Sequence, residues 1–135
     1  MQHIKNIIFD YGNVIFLLDF KKLSDGWRSL SISDPDKFFS HGVQDPIFDA
    51  FDKGHVSAAD FRNFIREKSG RPELSDEEID AAWNSLLLGV DDGTHQVLAE
   101  LNNKYRTFLL SNINPIHWMY YGDHCIGMYA LASTN

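Results

Sequence analysis

The chain has 135 residues, 44% of them apolar, and its 12 basic and 19 acidic side chains give a net charge of -7. That is the size of one domain, or of a small core carrying an insertion. The acidic balance without any Lys/Arg cluster excludes nucleic acid as the expected partner, the single Cys125 excludes an internal disulfide framework, and no apolar stretch nears the ~20 residues of a membrane span or survives past Asp10 as a secretory signal, so a cytoplasmic location is expected.

Asn6 to Phe9 reads as a parallel strand covered on both faces, because its apolar residues run on without alternation. Gly12 and Asn13 make a turn, with Asn13 suited to a left-handed backbone, and an apolar run follows from Val14 to Leu18. Phe20, Leu23, Trp27 and Leu30 then share one helical face behind an Asp19 cap, with Gly26 lowering its regularity. Asp45-Pro46 opens a second helix carrying Ile47, Phe48 and Phe51 and closing at Gly54. Ser57 to Asp60 resembles a capping box before Phe61, Phe64 and Ile65, and Gly70 ends that helix ahead of Pro72. Ser75-x-x-Glu78 is a full capping box, with Ile79, Ala82, Trp83, Leu86 and Leu87 as the buried stripe. A helix starting near Thr94 carries Val97, Leu98 and Leu101, and the strand Thr107 to Leu110 follows. No element is assigned to 115–135.

This order predicts an α/β fold: a parallel, Rossmann-like core from 1–18 and 91–135, incomplete, with 19–90 inserted as an α-helical cap. Phe38, Phe39, Phe48, Phe51, Phe61, Phe64 and Trp83 are read as the cap's own core.

Two apolar runs stop at functional side chains, Ile7-Ile8-Phe9 at Asp10 and Phe108-Leu109-Leu110 at Ser111-Asn112. Parallel strands deliver such groups at their carboxyl ends, so an Asp and a Ser on neighbouring tips can grip one phosphate. The bland readings are a solvated Asp10 ending its strand and a Ser111 that only terminates or caps one. Asp49 to Asp60 has the outline of a calcium loop, but Phe51 and Lys53 stand where oxygen ligands are needed. His117, His124 and Cys125 match no zinc spacing and read as scattered surface groups.

Ile8-Phe9-Asp10-Tyr11-Gly12-Asn13-Val14-Ile15 together with Leu109-Leu110-Ser111-Asn112 resembles the haloacid dehalogenase-like (HAD) superfamily, in its branch of small-molecule phosphatases with a helical cap, over residues 4–118. The resemblance implies a hydrolase of a small phosphorylated metabolite, with Asp10 as nucleophile forming an aspartyl-phosphate. It also implies Mg2+ held by Asp10 and the Gly12 carbonyl, and phosphoryl oxygens bound by Ser111 and Asn112.

The sequence departs from the family in three places. Gly12 stands where an acid would protonate the leaving group, no Lys or Arg follows Ser111, and Asp123 is the one acid left for the family's final acidic pair. A lost general acid costs about 10² to 10⁴ in rate. A core cut short near 118–121 and an impaired enzyme are therefore expected. Dehalogenation and a non-catalytic binding role remain the alternatives. Without later strands, the edge of Ile7–Phe9 is open, which favours self-association.

Overall fold

The computed structural model describes residues 4–40 and 42–124. The two apolar runs pair as expected. Strand β1 (Asn6–Phe9) lies parallel to β4 (Arg106–Leu109), with Ile8 opposite Phe108 and Phe9 opposite Leu109. The ladder runs one step further at the carboxyl end, where the Leu110 N–H donates to the Phe9 carbonyl at 2.8 Å.

Parallel strands need a long crossover, and here it holds most of the molecule. A short strand β2 (Leu17–Leu18) leads into α1 (Phe20–Ser29), α2 (Pro35–Phe38), α3 (Pro46–Asp52), α4 (Ala58–Ser69) and α5 (Asp76–Asn84). Strand β3 (Leu87–Gly89) returns antiparallel to β2, with Leu18 opposite Leu87. Helix α6 (Asp92–Asn102) then leads to β4, and α7 (Pro115–His124) follows.

The helix ends obey local chemistry. Asp19 accepts from the Lys21 and Lys22 N–H groups, Asp45 from Ile47, and Ser57 from Asp60. Ser75 and Glu78 form the reciprocal capping box. Gly70 closes α4 with φ +66°, a conformation that favours glycine. Gly26 interrupts nothing: a Cβ there would stand 2.9 Å from Ser85 Oγ and 3.0 Å from the Ala82 carbonyl, so the glycine lets α1 and α5 approach closely.

Trp27, Phe48, Phe51, Phe61, Ile65, Ile79 and Trp83 fill the centre of the helical insertion, with Phe51 stacked on Phe61 at 4.4 Å. The buried cluster does not stop at the insertion. It continues through Tyr11, Ile15, Phe16, Ile116 and Tyr121, where Phe16 and Tyr121 meet edge to face at 4.7 Å. Each such side chain contributes about 1.5–3 kcal/mol by leaving water.

Four expectations need correction. Strand β1 is not covered on both faces. Ile8 is 66% exposed and Leu110 beyond it is exposed as well, while Phe108 beside Ile8 is partly open with the Arg106 guanidinium 5.7 Å from its ring centroid. On the opposite face Phe9 is half-buried beside Leu98 of α6. The α5 helix ends at Asn84, before Leu86 and Leu87, because the Leu86 carbonyl accepts the Asp19 N–H and Leu87 pairs with Leu18. The stretch left without an element contains α7, opened by Pro115 in the position that Pro46 takes in α3; residues 125–135 lie outside those described. Finally, His117 is no surface group: it is 8% exposed, as its contacts below explain.

Candidate active site

The β1–β4 register brings Asp10 and Ser111 to the same end of the sheet. Asp10 directly follows Phe9, and Ser111 comes two residues after Leu109, the partner of Phe9. The Asp10 side chain is exposed and accepts the Tyr11 N–H through Oδ1 at 2.7 Å. A carboxylate has about four lone-pair sites, so this bond leaves acceptor capacity on both oxygens.

Residues 11–16 form a tight turn around one acceptor. The Tyr11 carbonyl takes N–H bonds from Val14, Ile15 and Phe16 at 3.2, 2.9 and 2.9 Å. Asn13 sits at φ +57°, as its residue type allows, and its Oδ1 accepts the Leu18 N–H at 3.0 Å. Gly12 lies inside this turn, and a Cβ there would come 3.3 Å from Leu18 Cδ1. The side chain of Asn13 is thus engaged in the turn.

Across from Asp10, the Ser111 hydroxyl donates weakly to the Asn112 carbonyl at 3.3 Å, and Asn112 is exposed. Three residues beyond Ser111 comes a group that the sequence reading passed over. Asn114 is 2% exposed and caps α7, its Oδ1 accepting the His117 N–H at 3.0 Å. Its Nδ2 donates to Asp52 Oδ1 at 3.1 Å and faces His117 Nδ1 at 3.2 Å. The His117 Nε2 faces the Trp83 carbonyl at 3.4 Å. An amide nitrogen only donates, so Nδ1 is the acceptor and Nε2 carries the proton. Burial pushes this imidazole down to about 4. The Asp52 carboxyl is shifted upward by partial burial, against the opposing effect of the Asn114 bond. The signal for Asn114 was available: Asn114-Pro115 repeats the cap-then-proline pattern of Asp45-Pro46.

An apolar groove of about 400 Å³ lies between Phe9, Val14 and Ile15 and the start of α6 at Asp91, Thr94 and Leu98. Neither Asp10 nor Ser111 lines it. Among the described residues no three His, Cys, Asp or Glu side chains gather to hold a metal, and no helix is long and apolar enough to cross a membrane. The Asp123 side chain lies outside the described ones.

No family model matches the chain. It is 36% identical over 112 residues to a D-ribitol-5-phosphate phosphatase of Bacteroides thetaiotaomicron, a match covering 83% of this chain and 54% of that protein. A HAD family enzyme of the same organism, solved with magnesium and inorganic phosphate, superposes with a TM-score of 0.77 at 35% identity, over 88% of this chain and 58% of the other. A HAD-like family hydrolase of Porphyromonas gingivalis gives 0.70 at 26% identity, over 84% and 53%. By its fold and these likenesses the chain is HAD-like. It spans about half the length of the curated relative it matches.

Proposed function

We propose that the chain acts as a Mg2+-dependent phosphatase on a small phosphorylated metabolite, in the cytoplasm, through an aspartyl-phosphate. Asp10 is the nucleophile in this reading, Ser111 and Asn112 hold the phosphoryl oxygens, and residues 19–90 act as a cap on a partial core of 1–18 and 91–135. The observation that carries it is the parallel β1–β4 pair, whose adjoining tips end in a carboxylate and a hydroxyl. The relative's activity on D-ribitol 5-phosphate supports a phosphorylated polyol as the first substrate to try.

The donors present suit magnesium. The exposed Asp10 carboxylate and the Gly12 carbonyl are hard oxygens, and Mg2+ commonly takes one or two carboxylates and completes its shell with water and substrate phosphate. Bound there, the cation would neutralise charge between the carboxylate and the phosphate dianion. An Asp10 oxygen bonds to phosphorus as the ester P–O bond breaks. The departing alkoxide takes its proton from solvent, because Gly12 has none to give. Water then attacks phosphorus, the P–O bond to Asp10 breaks, and inorganic phosphate leaves with the carboxylate restored. Donors from Ser111 and Asn112 face oxygens that gain charge in the transition state.

Phosphate release from D-ribitol 5-phosphate and other small phosphomonoesters, with and without Mg2+, tests this reading. Wild type turns over only with Mg2+, and Asp10→Asn loses about a thousandfold or more without a change in melting temperature. Turnover that survives in Asp10→Asn overturns it. One observation favours a second reading, a binder without turnover: Gly12, in the turn after Asp10, has no side-chain proton for a leaving group. That reading predicts phosphate binding with no product. Among the described residues no second strand pairs with β1, and that edge beside exposed Ile8 and Phe108 supports self-association of the chain.

A further inference from the structure

We propose that Asn114 is a positioning residue that couples the helical insertion to the Ser111–Asn112 loop. This rests on the reading of that loop as the phosphate anchor.

Asn114 is two residues beyond Asn112, and one side-chain amide there touches α7 and α3 and reaches α5 through His117. Its oxygen caps α7 through the His117 N–H. Its nitrogen donates to Asp52, the last residue of α3, and to His117 Nδ1. His117 in turn reaches the Trp83 carbonyl in α5 and lies flat on the Trp83 ring. A helix cap needs only the oxygen. The two bonds from Nδ2 serve no cap, and they tie the loop-bearing chain to α3 directly and to α5 through the imidazole. Buried amides left half-satisfied are costly, so moving α3 away from the core leaves Asn114 Nδ2 short of a partner. The loop two residues upstream then loses its fixed anchor. The His117 ring cannot substitute for Asp52, because its one acceptor already faces the same amide.

Asp52 supplies the decisive test, being far from the loop in sequence and outside the proposed catalytic set. In the full chain, Asp52→Ala is expected to shift the amide resonances of Ser111 and Asn112. It should also speed hydrogen exchange at Leu110, whose N–H bonds to Phe9, about tenfold. The α4 amides of Phe61 and Ile65 should keep their wild-type rates. Asp52→Asn, which retains an acceptor oxygen, should restore the loop. Affinity for inorganic phosphate with Mg2+ should fall in Asp52→Ala and recover in Asp52→Asn.

Unchanged loop resonances and Leu110 exchange in Asp52→Ala overturn the coupling. So does a change equally large in Asp52→Asn. If Asp52→Ala strips protection from α4 as well, Asn114→Ser takes its place: the hydroxyl keeps an acceptor for the cap and removes Nδ2, with the same expected loop changes. If wild type binds no phosphate, the phosphatase reading fails while the exchange data still decide the coupling.

Discussion

His117 lies flat against Trp83, with ring centroids 4.4 Å apart and planes 24° from parallel, and its burial would strip a charged imidazole of most of its hydration. The contact joins α7, which follows the sheet, to α5 of the helical insertion. Its side-chain hydrogen-bond partners among the described residues are the Asn114 amide and the Trp83 carbonyl, with Asp52 on the far side of Asn114.

Acid should therefore loosen the protein. The folded His117 binds its proton only near pH 4, against an ordinary value of 6.5. Between those values the unfolded chain takes up a proton that the folded chain refuses, so stability is complete above 6.5 and falls as pH drops through the window. The loss by pH 4 is about 3 kcal/mol. Asp52, with its carboxyl raised, works in the opposite sense. The comparison of wild type with His117→Gln isolates the histidine: urea midpoints should fall between pH 6.5 and 4.5 in wild type and much less in the variant. Equal slopes would exclude a buried neutral ring.

Gly26→Ala should destabilise the chain by about 1–3 kcal/mol, although alanine is the better helix former. The added methyl would press on the Ser85 hydroxyl and the Ala82 backbone. Ser85→Ala in the same background removes one of the two obstacles and should recover part of the loss. A chemical-denaturation midpoint unchanged or raised by Gly26→Ala would mean that α1 and α5 stand further apart.

Phe48→Ala should cost about 3–5 kcal/mol. The ring is fully buried and meets Trp83 at 5.0 Å, Phe39 at 4.6 Å and Phe61 at 5.6 Å, so no neighbour can readily collapse into the gap. Near-ultraviolet circular dichroism, which reads the packing of these aromatics, should weaken with the melting temperature.

Ile8→Lys should reduce self-association. The residue is 66% exposed beside Phe108 on the bare face of the sheet, and a charge there opposes pairing of edges and faces. Sedimentation velocity over a concentration series should show wild type growing in size and Ile8→Lys staying monomeric. A monomeric wild type at every concentration removes self-association from the proposal.

What the sequence makes legible here is whatever is decided within a few residues. Asp19, Ser57, Ser75 and Gly70 mark helix ends because capping is local. The runs ending at Asp10 and Ser111 stand out because three consecutive apolar residues stop at a polar one. Contacts across long separations left no such trace. The pairing of Leu18 with Leu87 ends α5 early, and the burial of His117 depends on Trp83, 34 positions away. The close approach that needs Gly26 is set by α5, so in sequence the glycine looked like a flaw. The exposure of Ile8 was hidden for a different reason: an apolar run signals a strand without saying what lies above it.

The ribbon of β2 and β3 has a consequence for how such a chain can change. Because Leu18 and Leu87 sit side by side, the segment between them starts and finishes at one spot. Replacing it with a longer or shorter one alters chain closure only slowly with length and keeps the β1–β4 register. The module is exchangeable as a unit, provided the incoming piece still offers an acceptor to Asn114 and a flat surface to His117.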